Sequence, residues 1–237
     1  MHEIDVFILH GITKEVDASV YYSNFIEGIQ SYLPTGASHN IRWHPIDYSH
    51  ILSDKEETIF SWMKDLGHQR SRKFACDFIC DILAMTHKDR PLEKGDFLYD
   101  LNEQLFKIYD SSAKIFPEGK RILIGHSLGT ILGYRWTWQR HFDSLITMGS
   151  PFTYFSIAYK NLGQMNPNLP EFWNFWKKYD RVATIISKNP NFRMVKDIQV
   201  KTLNPLNWLT AKAHSDYWKD DAVHQQIAKI ILSHEQS

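Results

Sequence analysis

Arg121-Ile-Leu-Ile-Gly125-His-Ser127-Leu-Gly129-Thr-Ile-Leu-Gly-Tyr134 reads as a strand, a sharp turn and a helix, with one serine at the turn. Ile122, Leu123 and Ile124 form a short apolar run of the kind found in a strand buried on both faces. After the turn, Leu128, Ile131 and Leu132 repeat at helical spacing, and Gly129 and Gly133 lie one turn apart, so the helix can approach a sheet closely. A tight strand-to-helix turn brings the residues two before and two after the serine together, and Cβ atoms at Gly125 and Gly129 are expected to clash there. The pattern G-x-S-x-G in this setting is a nucleophile elbow. Ser127 is the candidate nucleophile, placed where unpaired N–H groups and the positive end of a helix dipole suit a developing oxyanion. The five-residue pattern alone fits a helix-capping serine equally well; the flanking strand and helix supply the context that the chemical reading needs.

The rest of the chain bounds what such a serine could serve. Its 237 residues suit a single α/β domain spanning 1–237. Lys+Arg and Asp+Glu are equal at 27 each, so there is no basic field to gather nucleic acid or acidic lipid. The first apolar run begins at Ile4 with no basic region before it, and no stretch reaches the length of a membrane span, which reads as a soluble, cytoplasmic protein. Cys76 and Cys80 fall one helical turn apart and read as small core residues, without partners spaced for zinc. The 12 histidines show no metal-ligand spacing, so no metal site is expected.

In chain order, Ile4–Leu9 reads as a strand, and His10-Gly11-Ile12 follows at once. The glycine lets the backbone turn so that the Ile12 amide can point beside the nucleophile; with the Leu128 amide it makes a candidate oxyanion hole. Tyr22 to Leu33 reads as a helix that stops before Pro34, and Ile41–Ile46 as a strand that Pro45 should end. A helical insert runs from about 54 to 94, broken near Gly67, and Leu98 to Ile108 marks a further helix. Ser144–Met148 reads as a strand, followed by the aromatic segment Phe152 to Tyr159. A possible cap spans about 151–170, its loop from Asn161 to Pro170 carrying the turn-breaking residues. Phe172–Lys177 and Ile198–Thr202 complete the strands, and Trp218 to Ile231 gives a closing helix with Ser215 or Asp216 as its cap. Strands alternating with helices imply a largely parallel sheet with helices on both faces.

In such a sheet the site lies at the carboxyl ends of the strands, so a catalytic residue should follow a strand. His141 and Asp143 precede one strand and Asp197 another, at the wrong edge. His224 and His234 belong to the last helix, and His126, adjacent to the serine on a sharp turn, should point elsewhere. Asp180, after the aromatic strand, and His214, after the last strand, survive as acid and base. The competing account of Asp180 is an ion pair with Arg181.

His10-Gly-Ile12, Gly125-His-Ser-Leu-Gly129, Met148-Gly-Ser-Pro151, Tyr179-Asp-Arg-Val182 and Ala213-His-Ser-Asp-Tyr-Trp218 together resemble the α/β-hydrolase superfamily in its lipase and esterase branch. The likeness covers Ile4 to Leu232. It implies a three-layer α/β-hydrolase fold with a mostly parallel sheet of about six strands, in a short version lacking the leading hairpin. It also implies a Ser127–His214–Asp180 triad in the family's chain order, with the Leu128 and Ile12 amides as oxyanion hole and Gly125 and Gly129 as elbow glycines. The implied activity is that of a serine hydrolase cleaving a carboxylic ester through an acyl-enzyme, with no cofactor. A small-molecule or lipid-like acyl ester is the expected partner. Phe152, Tyr154, Phe155 and Trp208 follow strand ends and, with His10, are candidates for an apolar substrate pocket. The same triad would serve a thioesterase, an amidase or an acyltransferase, and the same fold a non-catalytic binding module.

Overall fold

In a computed structural model the described residues are 3–10, 18–47, 93–94, 96–158, 162–201 and 212–235. The insert, apart from its last residues, therefore lies outside them, and so do Cys76, Cys80, Ile12 and Trp208. The strands are β1 (Ile4–Leu9), β2 (Ile41–Ile46), β3 (Lys120–His126), β4 (Ser144–Met148), β5 (Glu171–Lys177) and β6 (Lys196–Val200). They form one six-stranded sheet in the order β2-β1-β3-β4-β5-β6, and every neighbouring pair is parallel.

The helices are α1 (Ala18–Gln30), α2 (Phe97–Ile115), α3 (Gly129–Thr137), α4 (Phe152–Ala158), the short α5 (Lys212–Ser215) and α6 (Asp221–Glu235). Alternation along the strands divides the core into two layers. Phe7, Leu9, Leu123, Leu145 and Phe172 face α2, α3 and α4. Val6, Ile8, Ile122, Ile124, Ile146 and Phe175 face α1 and α6. Both layers cover the central strands, which is why β1, the middle of β3 and β4 are buried along their length while the edge strands β2 and β6 keep polar residues.

Several element boundaries differ from the sequence reading. Pro45 does not end β2: it sits inside the strand, which is tolerated because β2 is an edge strand and can spare one N–H. β6 begins at Lys196, so Asp197 lies within it and not before it. That carboxylate is satisfied on the sheet by the Asn174 amide at 2.6 Å and by the N–H groups of Ile186 and Ser187 at 3.0 and 2.8 Å. The closing helix starts three residues after Trp218, which occupies a 3-10 turn (Asp216–Lys219), and its cap is Asp220, whose Oδ1 accepts the Ala222 N–H at 3.0 Å.

The segment 162–170 packs on α3 from below. Tyr134 donates to the Gln164 carbonyl, and the buried Asn166 amide donates to the Thr137 carbonyl at 2.6 Å. Tyr134 and Thr137 belong to the second half of α3, so this part of the expected cap is anchored at the end of the helix away from Ser127. Of the described residues of that expected cap, those of α4, which starts just after β4, lie at the strands' carboxyl ends.

From β1 the chain goes to β2 on one side and then returns to β3 on the other. Strands leave a crevice at such a reversal, beyond their carboxyl ends. β1 ends there at Leu9 and β3 at His126, one residue before Ser127.

Candidate active site

Ser127 has φ +52, the one non-glycine residue with positive φ among those described. A left-handed backbone is costly for an L-residue and persists where the surroundings fix it. Here the Ser127 N–H is held by the Met148 carbonyl of β4 at 2.9 Å. The Ser127 carbonyl accepts the Thr130 hydroxyl at 2.5 Å, and Thr130 is joined to Ser150 Oγ at 2.6 Å. Ser150 Oγ in turn accepts the Phe152 N–H at 3.2 Å, tying the turn to the start of α4.

The two elbow glycines are needed, Gly125 for the contact expected and Gly129 for a different one. A Cβ on Gly125 would stand 2.8 Å from the Gly129 carbonyl oxygen and 2.9 Å from Thr130 Cα. A Cβ on Gly129 would stand 2.5 Å from the His10 carbonyl oxygen, so its clearance admits the end of β1 and not Gly125. Leu128 is already helical, with φ −63 and ψ −31, so its amide is one of the first N–H groups of α3 that no earlier turn can satisfy.

Asp180 and His214 converge on this serine from 53 and 87 positions away along the chain. His214 Nε2 lies 2.8 Å from Ser127 Oγ, and its Nδ1 lies 2.9 and 3.1 Å from the two oxygens of Asp180. An ionised carboxylate only accepts, so Nδ1 carries the proton and Nε2 presents its lone pair to the serine hydroxyl. The Asp180 side chain is fully buried, while His214 keeps about a sixth of its surface exposed. Burial alone would raise the Asp180 pKa. The hydrogen bond and charge of His214, the Val182 N–H at 2.9 Å and the Tyr217 hydroxyl at 3.0 Å outweigh it and hold the carboxyl below its ordinary range.

One similar solved structure agrees with this architecture, and two others resemble it less closely. A protein from Xanthomonas campestris pv. campestris assigned to the α/β superfamily of hydrolases superposes with a TM-score of 0.51 at 11% identity, over 97% of this chain and 98% of its own. A serine hydrolase without a lid, from Xanthomonas campestris, gives 0.49 at 8% identity over 95% and 82%. An acetyl xylan esterase gives 0.43 at 13% identity over 99% of each chain. No family model matches the sequence, and no curated protein matches it either.

The chain has the α/β-hydrolase fold.

Within that α/β-hydrolase fold the expected pocket residues fall in different places. Phe152 and Phe155 are buried in the core layer beneath α4, and Phe152 packs edge-on against Tyr134, Phe172 and Phe192. They fill the domain interior. Tyr154 is exposed on α4. His10 is buried at the end of β1, with Nε2 at 3.3 Å from Asp47 and its ring beside Tyr22. Among the described residues no three His, Cys, Asp or Glu side chains are grouped to hold a metal ion, and no helix is long and apolar enough to cross a membrane.

Three residues at the site escaped the sequence reading. Tyr217 accepts the Lys177 N–H at 2.9 Å, so its one proton goes to Asp180. Gly149 has φ +58, and a Cβ there would stand 3.0 Å from the Tyr217 ring and 3.1 Å from both Asp180 Oδ2 and His214 Cε1. Its spacing within Met148-Gly-Ser-Pro151, at the end of β4, was the available signal. His126 does not point away: it is buried against the His214 ring, 4.8 Å between centroids. Burial first, and the neighbouring His214 second, depress its pKa from the ordinary 6.5 to about 3.

Gly149→Ala is expected to lower stability by about 1–3 kcal/mol through combined strain and overpacking. Gly36→Ala, also at positive φ but with no heavy atom within 4 Å of the new Cβ, should incur the backbone part alone. Urea unfolding of the two variants measures the difference. The neutral burial of His126 also sets a pH dependence. Between its ordinary value of 6.5 and about 3 the unfolded chain binds a proton that the folded chain refuses, so stability falls as pH falls. This one group should contribute roughly 1 kcal/mol per pH unit across that window. Urea midpoints between pH 7 and 4.5 should therefore fall less steeply in His126→Gln than in the unaltered protein.

Proposed function

We propose that the protein is a serine hydrolase that cleaves a carboxylic ester through an acyl-enzyme on Ser127. The observation that carries the proposal is the unbroken line from Asp180 through His214 to Ser127 Oγ, with each link within 2.8 to 2.9 Å. It starts from a serine held in a strained turn just after the end of β3.

In this reading His214 Nε2 removes the Ser127 proton as Oγ attacks the ester carbonyl carbon. Negative charge develops on the carbonyl oxygen, and the Leu128 amide stabilises it, joined by the Ile12 amide as the second donor. The imidazolium then gives its proton to the departing alcohol oxygen, leaving the acyl group on Oγ. Water enters, His214 removes its proton, and collapse of the second tetrahedral intermediate restores Ser127 and releases the acid. Asp180 stays ionised throughout, because its hydrogen bonds keep its pKa low, and stabilises the imidazolium without taking the proton. None of these steps requires a cofactor.

Ester is the substrate class favoured because the motifs resemble those of the lipase and esterase branch. Rates on matched esters, thioesters and amides of one acyl group test that choice. The charge balance of 27 against 27 gives no electrostatic preference for a polyanion and is consistent with a small, uncharged acyl substrate.

A fluorophosphonate should add one phosphonyl group to the protein, read by intact mass, and the label should map to Ser127. Ser127→Ala should abolish it and His214→Ala should slow it by several orders of magnitude, by analogy with roughly a millionfold losses in turnover for such residues in subtilisin. Labelling that persists in Ser127→Ala, or an unlabelled but folded protein, would remove the basis of the proposal.

A further inference from the structure

The base of the proposed triad is carried by very little secondary structure. Its helix, α5, is only four residues long and runs directly into a 3-10 turn. From α1, the Tyr21 hydroxyl reaches the Ser215 carbonyl at 3.4 Å. A general base misplaced by an ångström loses about a hundredfold in rate. The backbone that bears it must therefore be held in place.

His126 supplies that contact. Its Nε2 lies 2.7 Å from the carbonyl oxygen of His214 itself. A carbonyl only accepts, so Nε2 carries the proton and donates it. Two consecutive residues at the end of β3 thus hold His214 at two points: His126 at its backbone, and Ser127 at its ring nitrogen. β3 is an interior strand, paired with β1 on one side and β4 on the other, and therefore a rigid mount.

The chemistry of the side chain also argues for more than packing. In this tautomer Nδ1 is a buried acceptor with no hydrogen-bond partner among the described residues. A space-filling role would be better served by Phe or Leu, which leave no polar atom unsatisfied. The donor at Nε2 is what histidine adds here. A neutral donor is moreover what the position requires. The ring faces His214 from α5, Asp180 from the turn after β5 and His10 from the end of β1, with the Tyr217 and Trp218 rings closing the remaining sides. A lysine or arginine would bring a full charge next to His214 and oppose the imidazolium that the mechanism forms.

We propose that His126 is a positioning residue that clamps the backbone of His214 to the strand end carrying the nucleophile. The proposal rests on the reading of Ser127, His214 and Asp180 as a catalytic triad, and it makes nucleophile and base parts of one rigid unit.

Three variants separate this from packing. His126→Gln places an amide N–H near the position of Nε2, His126→Asn is one methylene too short, and His126→Phe keeps the ring volume without a donor. The downfield proton signal of His214 Nδ1–H, bonded to Asp180, reports the placement of the imidazole whether or not the protein is active. The rate of fluorophosphonate labelling at Ser127 reports the chemistry. The expected result is a signal present in the unaltered protein, broadened or lost in Phe and Asn, and restored in Gln. Labelling should be slower by about ten- to hundredfold in Phe and Asn and rescued in Gln. Should His126→Phe not fold, the Asn and Gln pair makes the same comparison. A signal absent from the unaltered protein, or unchanged across the variants, overturns the clamp. Normal labelling alongside an unchanged signal would leave the triad standing and the clamp refuted. A signal that depends on His126 in a protein that never labels would keep the clamp and refute the hydrolase.

Discussion

The structure turns on one strained residue, Ser127, whose φ of +52 reverses the chain between β3 and α3. A left-handed turn of an L-residue costs about 1–3 kcal/mol and holds only where its neighbours fix it. Each neighbour here has such a job. Gly125 and Gly129 leave room for the turn and for the end of β1, and Met148 and Thr130 bind the serine's own N–H and carbonyl. The turn faces the crevice where the order of the parallel strands reverses, so fold topology and local strain place the hydroxyl in the same spot.

A second constraint is a charge kept out of water. Asp180 is ionised in a fully buried position, which is tolerable because its oxygens are satisfied by His214, Val182 N–H and Tyr217. Behind it, the Lys177 ammonium lies over the Tyr217 ring, 4.7 Å from its centroid, and pairs with Asp220 at 2.9 Å. Asp180 is thus braced through Tyr217 by the same segment, 216–220, that follows His214. Gly149 lets this assembly close, since any side chain there would enter the space of Asp180, His214 and Tyr217 together.

Much of this was legible in the sequence because it rests on local patterns. Strands buried on both faces appear as apolar runs, and β1 and β4 are read to the residue. The rule that sites follow strands selected Asp180 and His214 and set Asp143 aside; that carboxylate in fact accepts the Arg121 N–H at the opposite edge. What failed depended on contacts between distant segments. Whether Phe152 lines a pocket or fills the core is decided by Tyr134, Phe172 and Phe192, which no local spacing relates to it. Pro45 reads as a strand end unless β2 is known to be an edge. His126 was set aside by a rule about neighbouring side chains on a turn, whereas a carbonyl 88 residues later determines where it points. The segment 162–170 reads as a cap from its breakers, and Gln164 and Asn166 tie it to the second half of α3.

The most direct test of a nucleophilic Ser127 is to catch the acyl group on it. Mixing the protein with a chromogenic carboxylic ester, quenching in acid within milliseconds to seconds and mapping the peptides would locate any covalent intermediate. The account predicts a burst of alcohol equal to the protein concentration and a single acylated peptide, modified at Ser127. Ester hydrolysis with no burst and no acyl-peptide, or an acyl group on another residue, would contradict it.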